Sequence, residues 1–216
     1  VELADGEVFD TVFDQAIACA GLQSDRLAER SGDQDTPRIV PFFGQYYVID
    51  EAFKSHVKGL IYPVPDPRFP FLGVHFTKRI DGQMTIGPNA FISFGRENYD
   101  GRSMNLADIF NFASYPGFWK FAARNLPATL RELKTVVSEA SFVREAARYV
   151  PTLASVGIVP AVRGIRAQAM EANGALVDDF VIRQHGNITH IRNAPSPGAT
   201  SSLAIAEYIV REVMKR

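Results

Sequence analysis

The sequence holds one cysteine, Cys19, so no disulfide can form within the chain and no metal site can be assembled from several thiolates. Its setting in AIACAG, among small apolar residues, reads as a buried structural position. No stretch approaches the roughly 20 consecutive apolar residues that span a bilayer, and no signal-peptide pattern is present. There is no GxG anywhere, hence no dinucleotide-binding fingerprint within the chain, and no Walker A loop. HExxH and Cys/His clusters at metal spacing are also missing, which leaves a metal site without support. Excess charge is lacking too. Lys and Arg number 23 against 24 Asp and Glu, a net charge of −1, so no global field draws nucleic acid or an anionic membrane.

What is present is ordinary globular material, 216 residues of which 46% are hydrophobic and 22% charged, enough for one or two domains. The opening VELADGEVFDTVFDQAIACAG reads as a strand, an Asp-Gly turn and a second strand, with residues 16–20 a small apolar run suited to a buried parallel sheet. LQSDRLAERSG follows as a short helix, with Ser24 and Asp25 as capping candidates and Gly32 as its stop. From Arg38 the pattern becomes aromatic and period two (RIVPFFGQYYVID, GLIYPVP, FLGVHFT, QMTIGPNAFISF), which predicts an antiparallel sheet, with a hairpin at Asp81-Gly82. Residues 105–150 turn helical and break at Pro116. A long helix is predicted from Leu126, capped by Asn125, with Pro127 in its first turn and Leu126, Leu130, Leu133, Val137 and Ala140 on one face. After Pro151 come the strands GIRAQAM, DDFVIRQ and ITHIRNA, then a final helix from about Ala199. The fold class is α+β. Two domains are expected, the first discontinuous over residues 1–40 and 157–216, the second over 41–156.

Four local features carry chemistry. Gly21, in CAGLQSD, ends a strand where backbone can approach a ligand closely, as it can at any strand-to-helix turn. His75 stands on a strand among apolar neighbours, either a satisfied core residue or an acid–base group. Arg166, in RGIRAQ, needs an anionic partner if it points inward, either a structural carboxylate or a ligand. The loop RNAPSPGATSS places backbone N–H groups near residues 198–201 at a helix N-terminus, which favours negative charge. His56, His185 and His190 lie near turns or polar segments and read as solvated. Residues 101–124 are aromatic enough for an interfacial segment, although buried packing explains them as well.

These stretches in this order, with IYPVPDPRFPFLGVHFTKRIDG, GPNA and LVDDF, resemble the FAD-dependent oxidoreductases of the D-amino-acid-oxidase type, and within them the L-2-hydroxyglutarate dehydrogenase/oxidase branch. The resemblance runs from about residue 5 to 212. Members of that family are about twice as long and open with a GxGxxG unit, so the chain is expected to be the C-terminal half of such an enzyme, an FAD/NAD(P)-binding-type fold without its N-terminal unit. Loss of that unit is expected to leave the strand at residues 16–20 without a partner. Residues 1–40 and 157–216 would then be a partial FAD-binding domain and 41–156 the substrate-binding domain.

The resemblance further implies FAD as cofactor, packed against Ala20 and Gly21 and bordered by Ser196, Pro197, Gly198, Ala199 and Thr200, where the helix N-terminus would stabilise the charge of reduced flavin. It implies Arg166 and Tyr62 as substrate-binding residues, and His75 as the base that takes the 2-hydroxyl proton while hydride passes to the flavin. Arg68, Lys78, Arg79 and Arg163 are candidates for a distal carboxylate. The implied substrate is L-2-hydroxyglutarate, giving 2-oxoglutarate. Other 2-hydroxy acids, an amino acid, glycerol 3-phosphate, or a flavin-free binding module remain alternatives. The acceptor is left open among oxygen, a quinone and a carrier protein; the setting is cytoplasmic or peripherally membrane-associated, mitochondrial in a eukaryote, with pairing to the N-terminal half.

Overall fold

The computed structural model describes residues 6, 10, 12–64, 74–126 and 139–214. The elements among them are β1 (Ala16–Ala18), α1 (Ser24–Arg30), β2 (Arg38–Ile49), β3 (His75–Lys78), β4 (Met84–Gly87), β5 (Phe91–Ile92), α2 (Leu106–Ala113), α3 (Pro116–Arg124), α4 (Glu139–Ala147), β6 (Ile158–Met170), β7 (Val181–His185), β8 (Ile188–Asn193) and α5 (Ser202–Met214). They fall into two compact units, Val1–Pro37 with Val177–Arg216, and Arg38–Leu176. The return to the first unit thus lies at residue 177, twenty residues beyond the boundary expected at 157. The reason is β6, which stays paired with β2 from Ile158 against Ile49 to Met170 against Arg38. Likewise the first boundary falls before Arg38, where β2 begins.

The smaller unit is built on a three-stranded sheet, β1-β8-β7. β1 does have a partner, running parallel to β8 with Ala16 opposite Ile188. It is shorter than the apolar run that suggested it, and neither Ile17, 42% exposed, nor the exposed Cys19 is a core residue. The Asp-Gly turn ahead of it lies outside the described residues apart from Gly6 and Asp10. α5 repeats apolar residues at helical spacing, Ile205, Ile209 and Val213, and lays them on Ile182 and Ile191. Ser24 and Asp25 are the first residues of α1 rather than its caps, and both are buried. Ser24 Oγ donates to the carbonyl of Arg192, 3.2 Å away.

Arg192 organises this unit. Its guanidinium is buried, pairs with Asp33 at 2.8 Å, and donates to the carbonyls of Gln34 and Pro37 at 2.8 and 2.7 Å. Burial alone would raise the Asp33 pKa; the Gln34 backbone N–H, Arg192 and Arg183 outweigh it and hold the carboxyl below its ordinary range. Next to this pair sits His190, expected to be solvated but 1% exposed, because β8 is the central strand of the sheet. Its Nε2 lies 2.7 Å from Ser31 Oγ. Burial, and then the charge of Arg192 and the neighbouring His185, depress its pKa; Asp33 opposes this without reversing it.

The larger unit is an antiparallel sheet in the order β3-β4-β2-β5, with β6 on the other edge of β2. The predicted hairpin forms at Gly82, whose φ of +83° suits glycine, and joins β3 to β4. Period two then sorts the strands. Tyr47, Ile49, Phe76, Met84 and Ile86 enter one core with Phe142 and Ala146 of α4 and with Val57, Leu153 and Val156. Val40, Phe42 and Met170 enter a second with Phe112, Tyr115, Phe118 and Phe121 of the α2–α3 segment. Burying each large side chain stabilises by about 1.5–3 kcal/mol, so the two cores hold the sheet in place.

The helical break occurs at Pro116, the first residue of α3, where a missing N–H costs nothing. Asn125 closes α3, its side-chain amide donating to Phe121 O at 2.9 Å. Residues 127–138 of that helix, with Pro127, Leu130, Leu133 and Val137, lie outside the described residues. A buried Arg96 joins the loop after β5 to α2 through Asp108 (backbone N–H to carboxylate, 2.8 Å) and Asn111 (guanidinium to Oδ1, 3.1 Å). Within residues 101–124, Phe112, Phe118 and Phe121 are buried while Leu106, Phe110 and Trp119 are exposed.

The buried pair and histidine make the smaller unit acid-sensitive in two windows. As pH falls through about 6.5 the unfolded chain takes up a proton at His190 that the folded chain resists, so stability drops from there down to the depressed folded pKa. Below about 3.8 the same logic applies to Asp33. Amide protection factors of β7 and β8 measured across pH should fall in both windows. His190→Gln should abolish the upper loss and keep the lower one; an unchanged upper loss would assign it to another group.

Candidate functional site

The face of the larger sheet opposite the α4 core is lined by the other half of the alternation. On β3, Phe76 enters the core and His75 and Thr77 take the opposite face; on β4, Thr85 lies between the core residues Met84 and Ile86. On β2 the corresponding residue is Tyr46, next to the core residue Tyr47. With Tyr62, Arg79 and a stretch of β6, these residues enclose a cleft of about 400 Å³.

Three devices shape its floor. First, the β2–β6 ladder is irregular at Tyr46, since Gln45 opposes Arg163 but Tyr47 opposes Pro160, so Ala161 and Val162 together face one β2 residue. Gln45 staples this bulge, its Nε2 donating to the carbonyls of Tyr46 (2.7 Å) and Ala161 (2.8 Å). Second, Gly87 faces His75 across β3 and β4, with φ of +144°; a Cβ there would lie 3.0 Å from Tyr46 Cδ1 and 2.9 Å from Gln45 O. Glycine lets the Tyr46 ring lie against the strand. Third, aromatic rings fix the imidazole. Tyr62 stacks on His75 at 4.4 Å and 19°, and Tyr46 meets it edge-on at 6.2 Å and 74°.

His75, Tyr62 and Arg79 are therefore brought together, with His75 6% exposed and Tyr62 52% exposed. Arg79 pairs with Asp81 at 3.5 Å on the surface of the hairpin, a contact weak enough to exchange for another anion. Arg166 is not part of the cleft lining. It is exposed on β6 opposite Phe42 and, among the described residues, has no ion pair, so the structural carboxylate expected of an inward arginine is not found. Its charge nonetheless reaches Tyr46, whose pKa is raised by burial first, lowered in part by Arg166 and raised further by Tyr62.

Of the other distal-carboxylate candidates, Arg68 lies outside the described residues and Lys78 is exposed at the end of β3. Arg163 lines the cleft, and its side chain is already engaged. Its Nε donates to Gln45 Oε1 at 2.6 Å, its guanidinium covers the Phe43 ring at 4.9 Å, and a Cβ on Gly101 would overlap it. Among the described residues no group of three or more His, Cys, Asp or Glu is placed to hold a metal ion.

In the smaller unit, β1 ends into a 3-10 turn at Gly21–Gln23, with the Ala20 carbonyl accepting from Gln23 N–H at 2.9 Å. Gly21 has φ of +49° and nothing within 4 Å of where a Cβ would be; Gly198 has one neighbour at that limit, Pro195 O. Ser196, Pro197, Ala199 and Thr200 are exposed, and α5 starts at Ser202, three residues later than expected, because Ala199 O accepts from Ser202 N–H in a preceding turn. The first turn of α5 holds no acidic residue. The open space beside both glycines and the uncompensated positive end of the helix fit the anionic edge of a bound flavin.

Tyr46 and Gln45 escaped the sequence reading. GQYYVI shows two adjacent tyrosines, of which period two assigns one to each face, but nothing in the letters marks a bulge.

Comparison with known proteins identifies the family. Residues 1–212 match the family described as FAD dependent oxidoreductase, DAO. The chain is 45% identical over 205 residues to the mitochondrial L-2-hydroxyglutarate dehydrogenase of Caenorhabditis briggsae, covering 93% of this chain and 47% of that protein. It is 41% identical over 201 residues to the L-2-hydroxyglutarate dehydrogenase of Indibacter alkaliphilus, covering 93% of this chain and 50% of that protein. A solved FAD dependent oxidoreductase from Pseudomonas aeruginosa superposes with a TM-score of 0.37 at 18% identity, over 82% of this chain and 39% of that one. The chain spans about half the length of the curated relatives it matches. It belongs, by its match along almost its whole length, to the family of FAD dependent oxidoreductases, whose cofactor is FAD.

Proposed function

We propose that this chain is part of a flavoenzyme that oxidises L-2-hydroxyglutarate to 2-oxoglutarate. The observation that carries the reading is the cleft itself, a buried histidine clamped between two tyrosine rings and bordered by arginine, in a chain whose relatives bear that activity in their names. Bound FAD would supply the two-electron acceptor for the hydrogen on C2. Ala20, Gly21 and Ser196 to Thr200 would hold it in the smaller unit, with the N-terminus of α5 favouring negative charge.

His75 takes the proton of the 2-hydroxyl, leaving the C2–O bond to become a carbonyl. Stacking by Tyr62 limits the imidazole to a narrow range of orientations, which counts because proton transfer needs heavy atoms within about 3.2 Å. Arg166 binds the carboxylate beside the reacting carbon, for which a forked guanidinium is suited. Arg79 binds the distal carboxylate, releasing Asp81 to solvent when it does. A terminal acceptor, oxygen or a quinone, closes the cycle. Exposed Leu106, Phe110 and Trp119 support peripheral contact with a membrane surface.

The full-length protein, held without oxygen, should lose its oxidised-flavin absorbance on addition of L-2-hydroxyglutarate and keep it with the D enantiomer; no bleaching by the L form would end this reading. His75→Asn should slow that flavin reduction by roughly two to four orders of magnitude, and a rate near wild type would remove His75 from the role of base. Arg79→Gln should raise KM for L-2-hydroxyglutarate about tenfold to a hundredfold, the scale of a lost charged hydrogen bond. A 2-hydroxy monocarboxylate should be nearly indifferent to the change.

A further inference from the structure

We propose that Gln45 is a positioning residue of the cleft, whose side-chain amide fixes the guanidinium of Arg163 in the wall and leaves its positive charge uncancelled for an anionic ligand. The inference deepens the reading of the cleft as the site of a 2-hydroxy acid and rests on it.

Gln45 is 7% exposed, and both ends of its amide are used. Nε2 donates to the carbonyls of Tyr46 and Ala161 at 2.7 and 2.8 Å, while Oε1 accepts from Arg163 Nε at 2.6 Å. Tyr46, Ala161 and Arg163 all line the cleft, so one buried side chain ties together three pieces of its wall. These partners also dictate which way the amide faces. Two carbonyls can only accept, so the NH2 group turns to them and the oxygen is left for the guanidinium. The stem of Gln45 is anchored too, its backbone N–H donating to Asn89 Oδ1 at 3.1 Å.

Every group that holds Arg163 is neutral. Besides the Gln45 oxygen, the Phe43 ring centre lies 4.9 Å from Cζ, and Gly101, at φ of +72°, packs so closely that a Cβ there would overlap Nη1 and Cζ. Among the described residues no carboxylate pairs with this guanidinium, and Nη1 and Nη2 make no hydrogen bond. A half-buried cation without a counter-ion bears a desolvation cost that an anion in the cleft would relieve. A carboxylate in place of the amide would hold the same Nε–H, yet it would cancel the charge and set an anionic oxygen against two carbonyls. Glutamine braces the cation and spares its charge.

The test uses the full-length flavoprotein and 2-oxoglutarate as the probe, titrated by calorimetry so that binding is read without turnover. Gln45→Met, which removes the amide at similar length, should raise the Kd about tenfold; Gln45→Glu, which keeps the acceptor and cancels the charge, about tenfold to a hundredfold. In an Arg163→Gln background neither change should raise the Kd further, because Gln45 acts through Arg163. With 15N-labelled arginine, the Arg163 Nε–H should be protected from solvent exchange in wild type and in Gln45→Glu and lose that protection in Gln45→Met. Gly101→Ala reaches the guanidinium without touching the buried amide and should weaken binding likewise, which keeps the test alive if a Gln45 variant does not fold. An unchanged Kd in these variants overturns the proposal. So does a Gln45→Met loss as large in Arg163→Gln as in wild type, which would make the amide a staple of the bulge alone. A wild-type protein that binds 2-oxoglutarate, but whose flavin L-2-hydroxyglutarate does not reduce, sinks the functional reading and leaves the Gln45 result standing.

Discussion

The pairing of β2 with β6, continuous from Arg38 against Met170 to Ile49 against Ile158 except for one bulge, is the constraint on which the larger unit depends. β4 and β5 attach to the other edge of β2 at Tyr47–Val48 and Phe42–Phe43, so its backbone is paired on both sides at those positions. A strand fixed in that way has no freedom of register, and a slip of one residue would exchange every side chain between faces. Tyr47 and Ile49 would leave one core, Val40 and Phe42 the other, at about 1.5–3 kcal/mol for each large side chain. The cost of slippage locks Tyr46 onto the cleft face. The cleft-facing side chains of Tyr46, His75 and Thr85 are thus held in place by residues that point away from them.

The smaller unit reaches a defined structure by other means. Its apolar cluster is small, five isoleucine and valine residues of β7, β8 and α5, and a buried cation does much of the ordering. Arg192 collects the Asp33 carboxylate and two carbonyls from the segment that follows α1, so one side chain on the central strand ties down a stretch that has no regular structure. Such a pair adds little net stability compared with apolar residues of the same volume, but breaking one partner leaves an uncompensated charge. The loop is held by the penalty for letting go.

Periodicity made part of this legible. The antiparallel sheet, the Asp81-Gly82 hairpin, the break at Pro116 and the core-facing stripe of α5 all follow from local rules, and the alternation around His75 puts it on the face opposite Phe76. Long-range pairing was not legible. β6 begins at residue 158, where composition changes, and its partner on β2 lies more than a hundred positions earlier, so nothing local said to which unit it belongs. Buried charge was equally hidden. Arg96, Arg192 and His190 carry the same letters as surface residues, and their burial follows from partners, Asp108, Asp33 and Ser31, that only the fold brings near. Nor did the letters show that Arg163, which lines the cleft, is also engaged by Gln45 and the Phe43 ring.

Under the proposed function, the distribution of charge around the cleft would bear on which acids it accepts. Its lining holds Arg163 beside His75, tyrosine and threonine, with Arg79 at one border, while Arg166 acts from outside it. A monocarboxylate would engage Arg166 and leave Arg79 with Asp81, a pairing already satisfied, so nothing in the empty arrangement penalises a short substrate strongly. A dicarboxylate gains only the difference between its own distal carboxylate and Asp81 as a partner for Arg79. Exposed pairs are worth about 0–1 kcal/mol, so Asp81 is a weak competitor. A distal carboxylate bound in the narrower cleft meets a lower effective dielectric than Asp81 does on the hairpin surface, and the same guanidinium attracts it more strongly. On the proposed reading, discrimination for the longer acid would depend on how far the cleft excludes water around Arg79, and the hairpin at Gly82, which fixes where Arg79 starts, would be as much a part of substrate choice as the arginine itself.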